Sequence, residues 1–191
     1  MRQKYLLFAL SLLAAGCRDK VDKIVTAAPG VSYSNGAAGQ QVVSLPDGNH
    51  VTIGSGTIIV PSKGFGKESR EVDIDGEGMF ELAGSEAAGD MGRKPFVVHT
   101  GNLVIEVLDT TGSAIRFAVD AVRQRPGEEI DLLSGRLRVS KSYHSDTDSL
   151  PEELTAGNMI MINREIDLME KEKMTGPEED KVKEKYHIAD K

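Results

Sequence analysis

The 191-residue sequence predicts an all-β domain of short strands joined by glycine turns, either a sandwich or a solenoid-like stack, followed by a charged helical tail. Three observations predict it. From Val42 to about Ile162, apolar residues recur at alternating positions and then give way to a Gly-containing turn. The dipeptides Asp47-Gly48, Asp75-Gly76, Thr100-Gly101, Thr111-Gly112, Ser134-Gly135 and Ala156-Gly157 punctuate that pattern, because glycine accepts the positive φ of a tight turn. Helical periods scarcely interrupt it. The repeat is loose in length, so a two-layer sandwich and a stack of similar turns both fit.

At the N-terminus, Arg2 and Lys4 precede an apolar run from Tyr5 to Ala15 that is too short to span a bilayer. The run closes on AAGC at 14–17, which resembles the lipobox of bacterial lipoproteins, with Leu13 four places before the cysteine instead of the usual three. Residues 1–16 therefore read as a lipoprotein signal peptide and Cys17 as the lipid-bearing N-terminus. A lone cysteine in an exported chain otherwise lacks a disulfide partner. Several acyl chains, at about 0.8 kcal/mol per buried CH₂, suffice for a durable anchor. Arg18, where an inner-membrane retention signal would have Asp, points to the outer membrane. Loss of Arg2 and Lys4 leaves 21 basic against 30 acidic residues, a net of −9. Residues 17–41 mix charge with Ala, Gly and Ser without a period and read as the lipidated Cys and a spacer.

The β domain is expected over 42–163. Its alternation points Val43/Leu45, Val51/Ile53, Val72/Ile74, Leu103/Ile105/Val107, Ile115/Phe117/Val119, Ile130/Leu132 and Leu137/Val139 inward. The stretch REVDIDGEGMFEL at 70–82 admits two readings. Asp73, Asp75 and Glu77 with Gly78 match the start of a calcium loop, but the bidentate Glu such a loop needs at its twelfth place is Gly84. Alternatively Val72, Ile74, Met79/Phe80 and Leu82 are core, and Asp75-Gly76 turns the chain. From 164 to 191 charges of both signs alternate, and Pro177 followed by Glu178, Glu179 and Asp180 resembles a helix start with acids at its positive end. Val182, Tyr186 and Ala189 could share one face of that helix as a thin partner-binding stripe.

The formal net charge of −7, without a basic run, argues against nucleic acid as a partner, and the absence of Trp with only five Phe removes a stacking platform. His50, His99, His144 and His187 have no spacing that holds zinc, and no serine sits in a nucleophile elbow. The carboxylate pairs Asp73/Asp75 and Asp146/Asp148 fall at solvated positions. The chain is not expected to be an enzyme or to need a cofactor.

Four ordered segments carry a family resemblance: SLPDG at 44–48, REVDIDGEGMFE at 70–81, PFVVHTG at 95–101 and LLSGRLRV at 132–139. Together they resemble the FecR family, over about residues 42–163. The resemblance implies an extracytoplasmic β-rich module in which Asp47, Gly48, Arg70, Gly76, Glu77, Phe80, Glu81, Pro95, Phe96 and Gly135 are turn and core residues. His50, Val51 and Thr52 stand where the family commonly has an aromatic after the DG turn. Family members relay signals across the envelope, meeting a TonB-dependent transporter on one side and a sigma factor on the other. The implied role is a cell-envelope lipoprotein that binds another envelope protein, such as a TonB-dependent transporter or a transmembrane regulator. A structural or glycan-binding lipoprotein is the alternative. The apolar run starts at Tyr5 and leaves no room for a cytoplasmic segment, so direct anti-sigma activity is not expected.

Overall fold

A single strand of thirteen residues organises the molecule. The computed structural model describes residues 24–83, 94–108, 114–145, 147 and 150–188; Cys17, the Thr111-Gly112 turn, the Asp146/Asp148 pair and Ala189 lie outside them. The strands are β1 (Val25–Thr26), β2 (Tyr33–Ser34), β3 (Gln41–Ser44), β4 (His50–Ile53), β5 (Ile58–Pro61), β6 (Arg70–Leu82), β7 (Phe96–His99), β8 (Leu103–Val107), β9 (Ile115–Ala121), β10 (Gly127–Ser134), β11 (Arg136–Lys141), β12 (Glu152–Thr155), β13 (Asn158–Asn163) and β14 (Leu168–Lys173), followed by helix α1 (Gly176–Lys185).

Strand β6 belongs to two layers. Its first half pairs with β5 and, in parallel, with β7; its second half pairs with β4 and β9. One layer runs β1-β3-β4-β6-β9-β10-β13-β14 and the other β2-β5-β6-β7-β8-β11-β12, and both contribute to one apolar core. Apart from β1–β3 and β6–β7, the pairings between the named strands are antiparallel. A solenoid would stack each strand in parallel on its counterpart in the next turn; the architecture found is instead one fourteen-stranded sheet folded at β6 into a sandwich that is nearly closed like a barrel.

The Asp75-Gly76 pair does not turn the chain. Both residues lie inside β6, where Gly76 has φ 123° and marks the passage from one layer to the other. The reason is a close approach. A Cβ on Gly76 would stand 2.4 Å from Thr57 Oγ1 and 2.8 Å from Thr57 Cα, so only glycine lets the strand bend against β5. Val72, Ile74, Met79, Phe80 and Leu82 are all buried, as the strand reading requires, and among the described residues no group of three or more His, Cys, Asp or Glu could hold a metal ion.

Two boundaries also move. The domain takes in residues assigned to the spacer, since β1 pairs with β3, β2 pairs with β5, and Ala27 and Asn35 are buried. Asn35 Nδ2 donates to the carbonyls of Gly39 and Gly54 at 2.8 and 3.1 Å, tying this segment to the turn before β5. Two-residue strands are too short to show a period. At the other end, the charged tail begins as a strand: β14 pairs along the whole of β13. It sits at the rim of its layer, where alternating Glu170, Lys171, Glu172 and Lys173 are the residues that discourage edge-to-edge association.

Helix α1 follows, with Pro177 in its first turn and Glu178 Oε2 accepting the Thr175 N–H at 2.7 Å. The Val182 and Tyr186 stripe lines a cavity of about 260 Å³ against Ala118, Asp131, Met159 and Met161 on the outer face of the first layer. Lys185 Nζ reaches Glu77 at 2.9 Å, and Gln40 Nε2 donates to the Lys185 carbonyl at 2.6 Å. The stripe is thus spent on the chain's own sheet.

Candidate functional site

The motif residues converge on a buried cluster. The turn after β3 places Asp47 beneath the sandwich, with Gly48 at φ 84° letting the chain reverse. Arg70, the first residue of β6, meets Asp47 Oδ2 through Nε and Nη2, both at 3.0 Å, and each side chain is 1% exposed. The neighbouring polar atoms are engaged as well. Arg70 Nη1 donates to the Lys94 carbonyl at 3.2 Å, Asn49 Nδ2 donates to Asp47 Oδ2 at 2.7 Å, and Asn49 Oδ1 accepts the Ala83 N–H at 2.8 Å. The Arg70 guanidinium lies 5.3 Å from the Phe96 ring centroid. Phe96 meets Phe65 and Phe80 edge-on, and Phe80 stacks on Phe117 at 4.9 Å. A buried ion pair is tolerated when its hydrogen bonds are complete, as here. The cluster has no surface to offer a ligand; it is a structural pin.

The other motif residues are dispersed. Pro95 is exposed and precedes Phe96, Gly76 marks the layer crossing, and Gly135 is the single-residue link between β10 and β11. Glu77 faces outward toward Lys185 and Arg125, and Glu81 pairs with Arg116 across β6 and β9 at 3.1 Å. Cys17 lies outside the described residues.

A different group forms a cleft of about 740 Å³ at one end of the sandwich. Three turns build it: Thr100–Asn102 between β7 and β8, Arg123–Pro126 between β9 and β10, and Arg164–Glu165 between β13 and β14. At its wall stands Glu128, 4% exposed. Its carboxylate accepts from Thr100 Oγ1 and, at 2.9 Å, from Asn102 Nδ2. Burial raises the Glu128 pKa above the ordinary carboxylate value, against the lowering effect of those hydrogen bonds. Asn102 Oδ1 in turn accepts from Arg164 Nη1 at 3.4 Å, and the Arg164 guanidinium lies 5.0 Å from the Tyr143 ring centroid. Tyr143 is itself fixed, its hydroxyl donating to Asp167 Oδ1 at 3.0 Å. Lys141 donates to the same carboxylate at 2.8 Å, and its hydrogen bonds, with those of Ser145, Thr147 and Tyr143, hold Asp167 below the ordinary carboxylate range.

Of these residues sequence reasoning singled out only the Thr100-Gly101 turn. The available signal was RQRPG at 123–127, two arginines in a turn of an acidic chain. Nothing local relates it to Arg164, about forty residues further on.

Comparisons place this arrangement among known proteins. Two crystal structures of a candidate anti-sigma factor from Parabacteroides distasonis ATCC 8503, at 2.50 and 1.65 Å resolution, share the fold with a TM-score of 0.61 and 23% identity. The match covers 75% of this chain and 60% of theirs, so the present sequence spans well under the full length of those neighbours. Among curated proteins none matches. The family model described as FecR protein matches residues 31–138, which begins inside the segment read as spacer and includes the buried pin. The chain belongs to the FecR family.

Proposed function

We propose that this chain is a cell-envelope lipoprotein whose FecR domain binds another envelope protein, in signalling or in the regulation of TonB-dependent transport. Membership of a family of regulators is the observation that carries the reading. On this reading Cys17 bears the lipid, the following residues set the distance from an outer membrane, and the partner is a TonB-dependent transporter or a transmembrane regulator. Neighbours described as candidate anti-sigma factors favour a place in sigma-factor signalling.

The test is cross-linking of the tagged full-length protein in intact cells, followed by identification of what is captured, with Cys17→Ala as the mislocalised control. Recovery of a transporter or membrane regulator with the native protein and its loss with the variant supports the reading. A Cys17→Ala protein that stays with membranes as fully as the native one ends the lipid anchor. The cleft favours a second reading, a ligand-binding or glycan-binding lipoprotein without a signalling role. Saturable binding of a glycan by the purified chain, with no captured protein, would select it.

A further inference from the structure

Among the described arginines, Arg70, Arg116, Arg123, Arg125, Arg136 and Arg138 each have a carboxylate within 4.0 Å. Arg164 has none among the described residues. Among the described residues its one side-chain hydrogen bond goes to a neutral amide, Asn102, which leaves four of its five N–H donors without an acceptor there. An exposed arginine left to water is unremarkable when its side chain is free to move. Arg164 is held instead. Its guanidinium lies against the Tyr143 ring, Tyr143 is fixed by Asp167, and Asn102 is fixed by Glu128. The hydrogen bond to Asn102 and the contact with the Tyr143 ring orient the planar fork at the wall of the cleft. Holding the side chain in advance removes part of the entropy that binding would otherwise cost.

We propose that the cleft is a carboxylate-binding site in which Arg164 makes the bidentate contact. The proposal rests on the binding role assigned above and names its chemistry. Arg123 and Arg125 also line the cleft beside Glu128 and Glu165, but they are paired with Asp75 and with Asp120 and Glu77, which leaves Arg164 as the lining arginine without a carboxylate partner among the described residues. Glu128 directs its two oxygens to Thr100 and Asn102 and forms no ion pair with Arg164, which meets it only through Asn102. The carboxylate can come from an acidic peptide segment of a protein partner or from a free dicarboxylate.

Titration calorimetry of the purified full-length chain with hexaglutamate and, separately, with succinate tests the proposal, at low and at physiological salt. The expected result is binding that weakens as salt rises, falls about tenfold or more in Arg164→Gln, is partly retained in Arg164→Lys, and is unchanged in Arg136→Gln, whose site is an outer-face ion pair. Circular dichroism confirms that each variant is folded. Tighter binding of hexaglutamate assigns the site to a peptide, and equal or tighter binding of succinate assigns it to a small acid. No binding of either probe at millimolar concentration, or native affinity in Arg164→Gln, overturns the proposal. If Arg164→Gln still captures the native partner in cells, the protein-binding role stands and this site is not how it binds.

Discussion

Asp47 and Glu128 are both buried carboxylates, one in the turn after β3 and one at the wall of the cleft. Asp47 faces a guanidinium that is as buried as itself, and each nitrogen of that guanidinium has an acceptor. Glu128 faces two neutral donors, and the nearby cation, Arg164, is bridged to it through Asn102 without touching it. The first arrangement closes on itself and can only hold the fold. The second leaves charge and donors open to a cavity. Asp47, Arg70, Phe80 and Phe96, which mark the family, lie at the first, so that part of the motif reports how the sandwich is pinned, while the cleft is built from three turns of which only Thr100-Gly101 falls in a family segment.

Breaking the closed arrangement is expected to have the largest effect. Arg70→Met strands the Asp47 carboxylate in the interior and is expected to cost about 3–5 kcal/mol in chemical denaturation. Asp47→Asn in the same chain should recover most of that loss, because a neutral amide needs no counterion; a double variant as unstable as the single one would show that packing of Arg70 on Phe96, and not charge, dominates. Next is Gly76→Ala, where the new methyl meets the Thr57 backbone at φ 123°; about 2–4 kcal/mol is expected. Gly48→Ala, with φ 84° and open space around it, is expected to cost about 1 kcal/mol. A reversed order would place the bend in β6 away from Gly76.

A third carboxylate sharpens the contrast through pH. Asp131, 8% exposed under α1, has its pKa raised to about 7, first by burial and then by Glu129 and Glu178, with Lys185 acting the other way. Asp120, Glu172 and Lys181 also face it across the cavity. Its ordinary value is 3.8. Between these two values the folded chain keeps the proton and the unfolded chain has released it, so stability falls as pH rises from about 4 to about 7. Asp131→Asn is therefore expected to stabilise by about 1–2 kcal/mol at pH 8, with the gain gone at pH 4. Thermal melts of both proteins across that range check it; a gain independent of pH would assign the effect to packing. The smallest change is Arg136→Gln on the outer face, where two half-exposed side chains pair with Glu153 and less than about 0.5 kcal/mol is expected.

Legibility in the sequence followed burial. Every residue that alternation pointed inward, from Val43 to Val139, is buried, because a half-buried strand leaves a period of two. The same logic fails at the rims. β14 exposes most of its residues, so it carries charges instead of a period, and β1 and β2 are too short to carry one. Asp75-Gly76 has the local chemistry of a turn, but the approach of Thr57 uses the glycine to bend a strand. Tertiary contact decided between two uses of one dipeptide. The cleft was illegible for a further reason: its walls come from turns that share no local pattern, and only the closure of the sandwich brings Asn102 to Arg164.

The strand common to both layers has a consequence for how the domain comes apart. Each layer holds one half of β6 and both pack on one apolar core, so opening either layer exposes the core of the other and the two do not open one at a time. Amide exchange is then expected to converge on one opening free energy for β4 and β9 in the first layer and for β5 and β7 in the second, with the rim strands β1, β2, β12 and β14 exchanging earlier. A force applied along the chain would meet one barrier at this seam in place of two successive weaker ones.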